Sequence, residues 1–185
     1  MQRNPTLLNP ENTALLIIDV QERLVKAMAN HEEVEGTIAT LQQGMEILNL
    51  PTLITEQYPR GLGATVDSIS ARKGDATVVE KTSFSCCGAD CFHTELEKIG
   101  AKQVVVTGME THVCVLQTVL DLLHAGYQVH VPIGSTCSRN NVNRDNALRR
   151  MEQAGAIITN VESVLFELLR EAGSAEFKAI SKLIA

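Results

Sequence analysis

The chain has 185 residues, 44% of them hydrophobic, and a formal charge of −6, so it can bury one ordinary core and residues 1–185 read as a single domain. Lys and Arg are scattered singly or in pairs without a basic stripe, which argues against nucleic acid as a partner. No run approaches the about 18 apolar residues of a membrane span, which argues against a membrane partner as well.

The opening "MQRNPTLLNPEN" lacks the apolar core of a secretory signal, so the expected location is cytoplasmic. Next comes "TALLIID" (13–19), a continuous apolar run closed by an acid, as in a strand buried on both faces. Asp19 follows four apolar residues. A carboxylate there is partly desolvated and a usable base unless a cation holds it ionised, although a strand-end Asp also serves simply to cap a turn. In "EEVEGTIATLQQGMEILNL" (32–50), Val34, Ile38, Leu41, Met45 and Leu48 recur at helical spacing. "PTLITE" (51–56) is a second strand, followed by the loop "YPRGLG". "ATVVEK" (76–81) is a third, ending on Lys81, and a lysine at such a place is by itself usually a solvated surface group.

"ADCFHTELEKIG" is helical in period and closed by a glycine suited to a helix C-terminus. The preceding "CCGADC" gathers Cys86, Cys87 and Cys91. Five cysteines in all, an odd number in a chain too long to need staples, read as reduced thiols, and without C-x-x-C spacing or a second pair no structural zinc is expected. Cys87 and Cys91, four apart, would both face the core on a helix. "KQVVVTG" (102–108) is a fourth strand running into "THVCVLQTVLDLLHAG". Thr111 reads as an N-cap, placing Cys114 at the third helical position, where unpaired N–H groups and the helix dipole favour thiolate and can hold an oxyanion. The alternative is a small core residue, since free Cys is among the most buried types. His112, two residues away, points to a different helix face and is no partner for Cys114.

"YQVHVP" (127–132) is a fifth strand, followed by "GSTCSRNN" with Cys137 and Ser138 as loop residues near the pocket. The helix "VNRDNALRRMEQAG", a sixth strand "AIITN" (156–160) and a last packing helix "SAEFKAISKLIA" complete the chain. Buried strands separated by helices predict a three-layer α/β/α sandwich around a mainly parallel six-stranded, Rossmann-like sheet. Reactive chemistry in such a fold collects beyond the carboxyl ends of the strands, where Asp19, Gln21, Lys81 and Cys114 fall.

With "ALLIIDVQERL", "TEQYPRGLGATV", "EKTSFSCCGADCF", "VVVTGMETHVCVLQTVLDLLHAGYQVHV", "ALRRMEQAGAIITNVES" and "FKAISKLI" in order along nearly the whole chain, the sequence resembles the isochorismatase-like cysteine hydrolases, and most closely the isochorismatase domain-containing proteins. The resemblance implies a triad of Asp19 as general base, Lys81 as the cation beside it and Cys114 as nucleophile. It also implies oxyanion donors at the backbone N–H groups of Glu110 and Cys114, and a cis peptide between Met109 and Glu110. The reaction implied is hydrolysis of a small amide through a thioester. Nicotinamidase-like relatives bind a metal through an Asp and two His after the second strand, but "TEQYPRGLGATVD" has no histidine, so neither metal nor other cofactor is expected. True isochorismatases cleave a vinyl ether and lack the cysteine. Ether hydrolysis and a catalytically silent partner-binding member are the alternatives. Gln21, Tyr58 and Phe84 are candidates for the wall of a small-molecule pocket, against packing or a solvated loop. Glu110 is expected to pair with Arg60, to meet a substrate amine or to face water. Family members commonly assemble through the sheet edge and C-terminal helices, which implies a homo-oligomer.

Overall fold

The structure is a computed structural model and describes residues 3–185. Its framework is one sheet of β1 (Thr13–Ile18), β2 (Thr52–Gln57), β3 (Thr77–Lys81), β4 (Gln103–Met109), β5 (Gln128–Pro132), β6 (Thr136–Cys137) and β7 (Ile157–Thr159). All its pairings are parallel. All residues of β1 and β4 are buried, which is why both read as unbroken apolar runs without alternation. The sheet has seven strands where the sequence predicts six. The additional strand is the two-residue β6, inside "GSTCSRNN", paired with Gly108 and Met109; two residues carry no periodicity to detect.

The helices are α1 (Glu22–Val25), α2 (His31–Ile47), α3 (Pro59–Leu62), α4 (Asp67–Ser70), α5 (Asp90–Ile99), α6 (Leu116–His124), α7 (Asn141–Gln153), α8 (Val161–Leu169) and α9 (Ala175–Leu183). Helix α8 and the single turns α1, α3 and α4 add to the helices predicted from period alone. Leu96 of α5, Val119 of α6 and Met151 of α7 cover one sheet face. Leu41 of α2, Leu165 of α8 and Ile180 of α9 cover the other, completing the three layers. No helix among the described residues is long and apolar enough to cross a membrane.

The strand order is β3-β2-β1-β4-β5-β7. The chain winds outward from β1 to β3, then returns to the opposite side of β1 for β4. The order therefore reverses between β1 and β4, and a crevice at such a switch point is where open α/β sheets bind ligands. The two strands approach closely there: a Cβ added at Gly108, whose φ is +109°, would lie 2.0 Å from the carbonyl oxygen of Ile18. Only glycine meets both the left-handed backbone and that contact.

Candidate active site

Asp19 is the first residue beyond β1, wholly buried, with φ at +54°. Its Oδ1 accepts a hydrogen bond from Thr55 Oγ1 at 2.7 Å and its Oδ2 one from Lys81 Nζ at 2.7 Å. Both partners of this ion pair have side chains at 0% exposure. Because β2 lies between β3 and β1, the Lys81 side chain must cross the end of β2 to reach Asp19. There its ammonium also donates to Gln57 Oε1 at 2.8 Å, Phe84 O at 3.2 Å and Ser83 O at 3.3 Å. Thr55 and Gln57 were not among the sequence candidates. The signal for them was the two-residue period of "TLITEQ", which turns both to one face at a strand end.

Gln21 is placed differently from a pocket wall residue. It is wholly buried; its Oε1 accepts from Gln57 N at 2.8 Å, and its Nε2 donates to Gln57 O at 3.1 Å and Gly63 O at 2.7 Å. The amide thus serves β2 as an additional strand partner where β1 has turned away, and it holds the loop carrying Gly63.

Cys114 lies in a widened π turn, Thr111–Val115, that opens α6, with Val115 N donating to Glu110 O across five residues at 3.3 Å. Glu110, not Thr111, occupies the cap position. The Thr111 hydroxyl is buried and has no hydrogen-bond partner among the described residues, because the π turn displaces it from the geometry of an ordinary N-cap. The Met109–Glu110 peptide is cis. Cys114 is 6% exposed. Burial pushes its thiol up, the Asp19 charge and hydrogen bond push in the same direction, and only Lys81 opposes them. Desolvation thus acts against the helix-end thiolate expected from the sequence and favours the thiol form.

Behind these groups, Thr118 Oγ1 donates to Cys114 O at 2.7 Å and accepts from Cys86 N at 2.9 Å. The Cys86 thiol meets Thr55 Oγ1 at 3.8 Å and is pushed up to about 12, chiefly by burial. Cys87 packs against the core whereas Cys91 is exposed, so the two do not share an inward face. Among the described residues no three His, Cys, Asp or Glu side chains converge on a metal-sized site.

Glu110 is buried and pairs with Arg139, not with Arg60 as the sequence reading allowed. Its carboxylate accepts from Arg139 N at 3.0 Å and from Arg139 Nε at 3.1 Å, because β6 brings the segment after Cys137 alongside it. His112 Nδ1 meets Ser138 Oγ at 3.0 Å, so Ser138 and Arg139 clamp the segment leading to Cys114. Tyr58 and Phe84 are half-exposed aromatics, at 55% and 56%. Tyr58, Arg60, Lys81 and Ser83 help line a cleft of about 620 Å³ at the β3 edge, whose lining includes neither Asp19 nor Cys114.

Buried Asp and Lys groups linked at a topological switch point, with a thiol against them, suit nucleophilic chemistry with the proton held locally. The family model described as Isochorismatase domain matches residues 13–163. The chain is 41% identical over 181 residues to the secreted isochorismatase effector Isc1 of Phytophthora sojae, covering 96% of this chain and 86% of that one. Among solved structures, the MAR1 ribonuclease from Caenorhabditis elegans is 38% identical with a TM-score of 0.91, covering 96% of this chain and 92% of the other. The YcaC protein from Pseudomonas aeruginosa, solved with hexane-2,5-diol and covalent acrylamide, is 26% identical with a TM-score of 0.91, covering 98% and 93%.

Proposed function

The chain belongs to the isochorismatase family, and from that premise we propose that it is a metal-independent cysteine hydrolase cleaving the C–N bond of a small amide. The observation that carries the reading is the wholly buried Asp19–Lys81 pair beside the buried Cys114 thiol, whose pKa burial pushes up. A protonated thiol needs a base at hand, and Asp19 supplies one without a metal.

In this reading Cys114 Sγ attacks the amide carbonyl carbon as its proton passes to Asp19. The oxyanion is held by the backbone N–H groups of Glu110 and Cys114. Collapse breaks the C–N bond, Asp19 returns the proton to the leaving nitrogen, and an amine or ammonia departs. Water then gives a proton to Asp19 and attacks the thioester, releasing the acid and, on proton return, the thiol. Lys81 remains an ammonium throughout, holding Asp19 in place and stabilising negative charge on sulfur. Covalent acrylamide in the P. aeruginosa relative supports a site that admits a small amide next to a nucleophile. The C. elegans relative is named a ribonuclease. For this chain a charge of −6 without a basic stripe favours a small-molecule substrate. Five free thiols favour a reducing, cytoplasmic setting.

The test is intact-mass analysis with a panel of small amides. The expected result is an acyl adduct on Cys114 that is absent in Cys114→Ala, with turnover lost. The name of the P. sojae relative favours a second reading, enol-ether hydrolysis as in isochorismatases. Under that reading Cys114→Ala retains turnover of the ether, which would displace the amidase reading.

A further inference from the structure

Lys81 has three ammonium protons and four oxygen acceptors: one Asp19 carboxylate oxygen, Gln57 Oε1, and the carbonyls of Ser83 and Phe84. Of the neutral acceptors Gln57 is the nearest, at 2.8 Å against 3.2 and 3.3 Å. Gln57 cannot turn its amide over without loss, because its Nε2 already donates to Thr82 O at 2.8 Å. Its backbone is equally constrained, with N and O both bonded to the Gln21 side chain. Gln57 and Lys81 are also direct cross-strand partners, so a side chain at this β2 position lies along the path the lysine takes to Asp19. Gln57 is half-buried while the Lys81 side chain is fully enclosed, and Tyr58, Lys81, Thr82 and Ser83 line the neighbouring cleft.

We propose that Gln57 is a positioning residue that fixes the Lys81 ammonium against Asp19 and Cys114 and keeps cleft water from taking its place; this rests on the cysteine-hydrolase reading above. Without Oε1, one ammonium proton has only the longer loop carbonyls or water. The cation then relaxes away from the sulfur it must stabilise as the thiol proton leaves. Gln21 acts one step further back, by holding the backbone of Gln57.

The experiment uses the full chain and iodoacetamide, a small neutral amide electrophile, with peptide-resolved mass spectrometry from pH 6 to 9. Cys91, exposed and with no hydrogen bond to the triad although it lines the neighbouring cleft with Lys81, is the internal reference. In Gln57→Met the Cys114 rate relative to Cys91 is expected to fall about tenfold at pH 7, the size expected for losing a hydrogen bond to a charged group. It should also become steeply dependent on pH, a change that a purely structural role would not produce. Gln57→Asn keeps a polar amide but is one methylene too short to reach Nζ. It should reproduce the loss and serves as the test if the methionine variant does not fold. If both variants, or the asparagine variant alone where the methionine one is unfolded, keep the wild-type rate and pH profile within twofold while Lys81→Met loses them, the positioning role of Gln57 is refuted and the hydrolase reading stands. If Lys81→Met also leaves Cys114 unchanged, the triad reading fails and takes this proposal with it.

Discussion

Replacing Lys81 with Met tests whether the site is held together by charge. The substitution keeps most of the apolar stem and removes the ammonium, leaving the wholly buried Asp19 carboxylate with only neutral side-chain donors, the Thr55 hydroxyl and the Cys114 thiol. Breaking one side of a buried pair costs about 3–5 kcal/mol, because the orphaned charge has lost both water and partner. For a chain of this size each kcal/mol is about 2–4 °C in Tm, so the variant should melt about 6–20 °C below wild type. The double variant Asp19→Asn/Lys81→Met has no charge left to orphan. It should recover at least half of that loss while remaining unable to form the Cys114 adduct. Thermal melts by circular dichroism at pH 7, in low and in high salt, provide the measurement. A pair at 0% exposure should respond little to salt, unlike surface pairs. A single variant melting within about 3 °C of wild type, or a double variant as unstable as the single, would refute the reasoning.

Two further substitutions probe the frame around the site. His130 in β5 is buried, its Nδ1 has no partner among the described residues, and burial pulls its pKa down to about 4. The unfolded chain takes up that proton near about 6.5, so the contribution is complete above that pH and is lost as pH falls towards 4, about 3 kcal/mol in all. His130→Leu should therefore lose less stability than wild type between pH 7 and 4.5, read from urea midpoints; parallel losses would count against the assignment. Gly108→Ala places a methyl 2.0 Å from Ile18 O at a φ of +109°, forcing β1 and β4 apart where Asp19 and Cys114 emerge. The expected cost is about 3–5 kcal/mol from overpacking and backbone strain together, with slower labelling of Cys114. A melt within 2 °C of wild type would show that the strands yield more easily than the contact implies.

What the sequence determines by itself is local. Runs such as "TALLII" and "QVVVTGM" are apolar on both faces and must be strands inside a layered sheet, while the spacing of Val34, Ile38, Leu41 and Met45 requires a helix over them. Strand ends are then legible as places for chemistry, which is how Asp19, Lys81 and Cys114 can be singled out. The order of the strands is not local. Asp19 and Lys81 are 62 residues apart, and only the tertiary arrangement puts β2 between their strands. That arrangement makes Thr55 and Gln57 partners of the pair, turns Gln21 from a pocket candidate into a strand bracket, and gives Glu110 to Arg139. It also sets the surroundings of Cys114: the helix start argued for thiolate, and the burial created by packing the two strand ends together pushes the thiol pKa up. Desolvation depends on every neighbour a fold brings in, and no window of sequence around a cysteine contains that information.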